Sequence, residues 1–258
     1  MFKILFYLPL ALLILGVIVS CNSTDKLNST LEILVTSESG DKMAKKENVA
    51  FLDGTPTGTI IKVEPQILKQ EIDGIGSSFT ESSAFVLAHL DPIKRKEIMK
   101  DLFGQEGANF SLTRTHIGAC DFCVEGKYSY ADKKGDVNLE SFTLDPDKEG
   151  FSKKKYNGIK DETYDLLPMI KEALEIKNNQ SDKELRIVSS AWTAPSWMKD
   201  IEEWFIKGTP ENNHQGTGGK LKPEYEETYA DYIIKYLNEY RSEGIDIWGI
   251  TPVNEPHG

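Results

Sequence analysis

The sharpest chemistry in the chain lies at Thr251-Pro252-Val253-Asn254-Glu255-Pro256, directly after the apolar run Ile245–Ile250. A carboxyl group just past a strand, with an amide beside it, suits acid–base work on a hydroxylated substrate. Glu255 can there protonate a leaving oxygen, as cleavage of a glycosidic bond requires, while Asn254 hydrogen-bonds a hydroxyl. A glutamate does this near neutral pH when its surroundings raise its pKa. The plain alternative is a strand-ending turn with a solvated glutamate, and Asn-Glu-Pro alone does not decide between them. Further polar groups gather earlier in the chain. Arg114 and His116 share a strand face with Phe110 and Leu112, and Asp121 follows in Gly118-Ala119-Cys120-Asp121-Phe122. Arg114 and Asp121 can grip hydroxyls, form an internal ion pair, or both. Trp192, in Ser190-Ala191-Trp192-Thr193-Ala194-Pro195-Ser196-Trp197-Met198, offers a flat apolar platform for a ring, or else packs in the core. Tyr128 and Tyr130 offer more aromatic surface, under the same choice.

These residues need elements to position them. Residues 72–79, 109–116, 185–193 and 245–254 read as four strands. Helices alternate with them. Asp91-Pro92 is a helix start whose stripe is Ile98, Met99, Leu102 and Phe103, with Gly104 at its end. Asp165 caps a second helix that carries Leu166, Leu167, Ile170, Ala173 and Leu174. Pro223 opens a third, with Tyr229, Tyr232, Ile233, Tyr236, Leu237 and Tyr240 on one face and Gly244 closing it. Strand–helix alternation predicts a parallel sheet with helices outside. Two long linkers, 119–162 and 196–222, follow strands; in a β/α barrel such loops build the C-terminal face, where active sites lie. A whole barrel has eight strands in about 250 residues. With four, two strand edges stay unpaired, so the sequence reads as the front half of a longer protein. Upstream, Leu31–Val35 and Thr59–Val63, running on to Ile72, read as short antiparallel strands punctuated by Gly54-Thr55-Pro56.

The first residues, MFKILFYLPLALLILGVIVSC, place Lys3 before an apolar run from Ile4 to Val19, short for a membrane span and suited to a signal peptide. Ile18-Val19-Ser20-Cys21 resembles a bacterial lipobox, which makes Cys21 a lipidated first residue and the membrane a partner through that anchor. The expected organisation is a lipoprotein signal peptide at 1–20, a polar tether at 21–28, β-strands at 29–71 and the barrel segment at 72–258. Acidic residues outnumber basic ones 41 to 30, giving a net charge of −11, which speaks against a nucleic-acid partner. Three cysteines do not make a disulfide scaffold, and Cys120-Asp121-Phe122-Cys123 reads as two ordinary cysteines, oxidisable after export. His89, His116, His214 and His257 are far apart, and no His-x-x-x-His or Cys/His cluster is evident. No zinc site and no cofactor are therefore expected, while carboxylate-bound calcium stays open. Matches to Asn-x-Ser/Thr carry little weight beside a bacterial-type lipobox.

From Gln70 to Gly258 the chain resembles glycoside hydrolase family 30, which includes acid β-glucosylceramidase and microbial β-glucanases. The matching blocks are Asp73–Glu81, Leu112–Arg114, Cys120–Phe122, Tyr128–Asp132, Ser190–Lys199 and Thr251–Pro256, in family order and spacing. The resemblance implies an α/β fold: a (β/α)8 TIM barrel, here truncated after strand four, with residues 29–71 supplying strands of a side β-sandwich. It implies a retaining β-glycosidase. Glu255 matches the general acid/base, Asn254 the neighbour that contacts the sugar 2-hydroxyl, and Arg114, Asp121 and Trp192 the sugar-binding positions. The family nucleophile, a glutamate on barrel strand seven, has no counterpart here, and Asp121 does not replace it. The 258-residue chain alone is therefore expected to be inactive. Glucosylceramide-type β-glucosides and β-1,6-glucans are the expected substrates. The alternatives are a non-catalytic carbohydrate-binding lipoprotein and a metal-dependent hydrolase, the latter disfavoured by strand ends poor in histidine.

Overall fold

The computed structural model describes residues 30–52, 54–55, 57–180 and 184–255. The expected signal peptide, the expected tether and Cys21 lie outside the described residues, as do Pro56 and Pro256. The chain divides into two compact units, with the boundary after Leu68. No helix among the described residues is long and apolar enough to cross a membrane.

The first unit is a short antiparallel ribbon. Strand β1 (Thr30–Leu31) pairs with β4 (Val49–Ala50), and β2 (Leu34–Val35) pairs with β3 (Ala44–Lys45). The expected strand at Leu31–Val35 is thus present in two pieces. The one expected at Thr59–Val63 is not formed: that segment makes no ladder, and Ile60, Ile61 and Val63 are exposed. Apolar alternation gives a strand only where a neighbour supplies backbone partners, and this segment has none among the described residues.

The second unit has the expected β/α alternation. Strands β5 (Gly76–Ser78), β6 (Leu112–Ile117), β7 (Arg186–Ala191) and β8 (Gly249–Thr251) form one parallel sheet in chain order. Ser78 lies opposite Arg114, His116 opposite Ser190, and Ser190 opposite Thr251. Each strand is shorter than its apolar run, because a ladder extends only where both neighbours do. At Gly76 the backbone passes so close to β6 that an added Cβ would lie 1.4 Å from the Leu112 carbonyl oxygen, so no side chain fits.

The helices follow their local signals. In α2 (Pro92–Phe103) the Asp91 carboxylate accepts from Ile93 N–H at 3.0 Å, and Met99 and Phe103 face the core. In α3 (Leu166–Gln180), Asp165 accepts from Leu166 N–H at 2.7 Å, and Leu166, Met169, Ile170 and Ala173 are buried. A 3₁₀ turn at Pro223–Tyr225 leads into α4 (Glu226–Ser242), which buries Tyr232, Ile233, Tyr236 and Tyr240. Gly244, at φ 81°, takes the left-handed turn that leads to β8. One helix was not expected from the sequence: α1 (Glu81–Ala88), capped by Thr80, whose side chain accepts from Ser83 N–H at 3.2 Å.

The two long loops are packed rather than free. Trp197 Nε1–H donates to the Ala131 carbonyl at 2.8 Å, joining the loop after β7 to the loop after β6. Asp147, fully buried, accepts from the hydroxyls of Tyr128, Tyr130 and Tyr240 at 2.9, 2.7 and 2.6 Å. Tyr128 and Tyr130 are therefore core residues, which decides the open choice between aromatic loop surface and core packing in favour of the latter. A tyrosine hydroxyl can be buried when a carboxylate partner is buried with it, and that partner stands well along the chain from either tyrosine.

Candidate functional site

A cavity of about 290 Å³ opens at the C-terminal ends of β5 and β6. Ser78, Thr80, Arg114, His116, Phe122 and Trp192 line it. Parallel pairing creates this convergence. Arg114 sits opposite Ser78 on one side and Val188 on the other, so its side chain lies over the mouth of the sheet beside the end of β7. Its Nε–H donates to Ser190 Oγ at 2.9 Å, and its guanidinium carbon stands 4.4 Å from the centre of the Trp192 ring. Trp192 is half-buried, and its indole N–H is buried with no hydrogen-bond partner among the described residues.

The sequence-expected residues do not all meet. Arg114 and Trp192 share the cavity. Asp121 is exposed, and no ion pair joins it to Arg114 among the described residues; its neighbour Phe122 reaches the cavity instead. Asn254 is half-buried and Glu255 exposed, just beyond β8, and neither lines the cavity. The chain leading to them is fixed by Tyr229, whose hydroxyl donates to the Pro252 carbonyl at 2.7 Å. Glu255 holds a backbone φ of 45°, in the left-handed region that non-glycine residues seldom adopt.

His116 is a structural member of the wall. It is buried, its Nδ1–H donates to the Gly118 carbonyl at 2.7 Å, and its Nε2 accepts from Glu81 N–H at 3.2 Å. Glu81, the first residue of α1, accepts in turn from the N–H groups of Val124 and Glu125. Burial pushes its carboxyl up, against those two hydrogen bonds. A ligand-atom trio stands here that the sequence reading passed over: His116, Cys120 and Cys123 have one donor atom each within 4.8 Å of one another. The signal was His-x-x-x-Cys-x-x-Cys, a run that leaves a strand and curls back on its end.

Similarity to known proteins follows the same segment. The profile of the glycosyl hydrolase family 30 TIM-barrel domain matches residues 72–258. Lysosomal acid glucosylceramidase of Mus musculus is 25% identical over 240 residues, which cover 92% of this chain and 42% of that protein. An endo-1,6-β-D-glucanase of Neurospora crassa is 31% identical over 207 residues, 80% of this chain and 35% of that one. Among solved structures, SrfJ from Salmonella typhimurium superposes with a TM-score of 0.69 at 26% identity, covering 89% of this chain and 44% of SrfJ. The chain thus spans less than half the length of each of these relatives.

Proposed function

Because the chain belongs to glycosyl hydrolase family 30, we propose that it forms part of an exported, retaining β-glycosidase that acts on β-glucosides or β-1,6-glucan. The observation that carries this reading is the cavity at the C-terminal end of the sheet, where Arg114 lies against the Trp192 ring. The relatives' names supply the two substrate candidates, a glucosylceramide and a β-1,6-glucan. The edge strands β5 and β8 are largely exposed, as strands awaiting partners in a larger barrel would be.

In this proposal Trp192 and Arg114 hold the sugar, Asp121 and Asn254 contact its hydroxyls, and Glu255 is the general acid/base. The nucleophile is a second carboxylate about 5–5.5 Å away, which the family resemblance places on barrel strand seven. Glu255 first protonates the departing oxygen, then deprotonates the water that frees the sugar from the enzyme. The left-handed backbone of Glu255 is consistent with a position held for function.

The test is Glu255→Ala in the full-length protein. Glycosylation slows strongly for natural β-glucosides and weakly for dinitrophenyl glucosides, whose leaving group needs no proton. Deglycosylation slows for both. An aryl substrate then shows a burst followed by a slow phase that azide accelerates, since azide attacks without a general base. Uniform slowing with no azide rescue would remove Glu255 from the chemistry, and tight sugar binding without turnover by the parent would favour a binding lipoprotein. Export rests on the N-terminal sequence: Cys21→Ser should abolish lipid labelling and release the protein from membranes, and a parent that takes no lipid label would end that part of the proposal.

A further inference from the structure

The loop after β6 holds two nucleophiles that the glycosidase chemistry does not use. Cys120 and Cys123 are free thiols at the two ends of a tight turn, closed by a hydrogen bond from Cys123 N–H to the Cys120 carbonyl at 3.3 Å. The turn brings their sulfurs to 3.6 Å. Backbone donors converge on both: Phe122 N–H on Cys120 Sγ at 3.3 Å, and Cys120 N–H on Cys123 Sγ at 3.1 Å. The buried Glu81 carboxyl group lies close to Cys123.

Two cysteines and a histidine this close invite a metal reading, but the histidine is engaged elsewhere. Both His116 ring nitrogens are committed to backbone groups, Nδ1 to the Gly118 carbonyl and Nε2 to Glu81 N–H. That leaves no ring lone pair for an ion between the sulfurs.

We propose that Cys120 and Cys123 form a redox-active dithiol, oxidised by a small-molecule disulfide to an intramolecular Cys120–Cys123 disulfide. The pair is asymmetric. The Cys123 thiol, assisted by the Phe122 N–H, holds Cys120 well below the ordinary thiol range in spite of its burial. The same hydrogen bond, with burial added, pushes Cys123 up. Cys120 is therefore the attacking thiolate. Its sulfur bonds to one sulfur of RSSR, the S–S bond breaks, and RS⁻ leaves with the electron pair. Cys123 then gives up its proton to solvent, and its sulfur attacks that of Cys120 and expels the second RS⁻. The two protein thiols lose two electrons and two protons, and RSSR becomes two thiols. Closing the bond draws the sulfurs from 3.6 Å to about 2.05 Å, across the turn that carries Asp121 and Phe122. Phe122 lines the cavity, so the modification falls beside the candidate sugar site, although the dithiol itself does not depend on that assignment.

The test uses the Cys21→Ser chain, which retains two of its three cysteines. After incubation with oxidised glutathione and quenching with N-ethylmaleimide, intact mass should show a chain two hydrogens lighter, and peptide mapping should join Cys120 to Cys123. At mildly acidic pH, Cys123→Ser should trap one glutathionyl group on Cys120, while Cys120→Ser reacts at least about tenfold more slowly. Urea should abolish the difference. Iodoacetamide labelling of the unsubstituted pair, ranked peptide by peptide, gives the same order without any replacement that could disturb folding. Equal reactivity of the two thiols in native buffer, or both thiols surviving oxidised glutathione, would overturn the proposal. So would stoichiometric zinc uptake that shields both from alkylation.

Discussion

Arg114 is held by contacts that only a guanidinium can make together. Its Nε–H donates to Ser190 Oγ while its plane lies over the Trp192 ring, so one flat cation is both aimed and stacked. Lysine keeps the charge but loses the planar face and the donor at the Nε position. In the full-length protein, Arg114→Lys is expected to weaken binding of a sugar-like inhibitor by roughly tenfold, about 1.4 kcal/mol. The melting temperature should barely move, because Arg114 is exposed and buries little on folding. Calorimetric titration of both proteins measures this. Unchanged affinity would mean that the stack is only an outer wall and that ligands bind elsewhere.

At the scale of elements, what the sequence revealed was whatever local chemistry specifies. Asp91-Pro92 marks the start of α2 because the cap acts within two residues, from Asp91 to Ile93 N–H. The tyrosine-rich face of α4 was visible because helical periodicity lies in one short window. Helix α1 was missed because Glu-Ser-Ser-Ala-Phe-Val-Leu-Ala shows no clear stripe: Ala84, Leu87 and Ala88 face inward, while Val86 is exposed. The meeting of Arg114 with Trp192 was legible once the two were placed at the ends of neighbouring parallel strands. Other features depend on distant partners. Tyr128 and Tyr130 turn inward because Asp147 receives them together with Tyr240 from α4. Thr59–Val63 has the alternation of a strand but no ladder partner. The trio of His116, Cys120 and Cys123 lay within eight residues, yet it needed the turn after β6 to become a cluster. The role proposed for Glu255 rests on its motif, since its side chain lies outside the cavity that Arg114 and Trp192 share.

Across the whole molecule, three of the buried carboxyl groups in the barrel segment, Glu81, Asp147 and Asp165, have raised pKa values and tie stability to pH in an unusual direction, while buried Asp136 is held down by Ser141. Burial pushes Glu81 and Asp147 up, and it pushes Asp165 up to about 7, helped by the negative charges of the other two. A carboxyl whose folded pKa is raised keeps its proton in the folded chain after the unfolded chain has released it. Stability from such a group is present near pH 4 and is lost as pH rises through the folded value. Surface acids act the other way. Lys134 and Lys222 hold Glu202 down at about 2, and Lys148 and Lys171 hold Glu243 down, so their contributions fade only in stronger acid. Between about pH 4 and pH 7 the buried set therefore governs the slope, and the net charge of −11 reinforces it, because acidification relieves self-repulsion. The urea midpoint is expected to be higher at pH 5 than at pH 7.5. Asp165→Asn tests the assignment. The amide cannot titrate, and it can accept only one of the two backbone N–H bonds that Asp165 receives, from Leu166 and Gly150. The variant should be less stable at pH 5, yet show a distinctly shallower fall towards pH 7.5. A parent midpoint that rises over this interval would refute the direction, and a variant with the parent's slope would show that Asp165 is not its source.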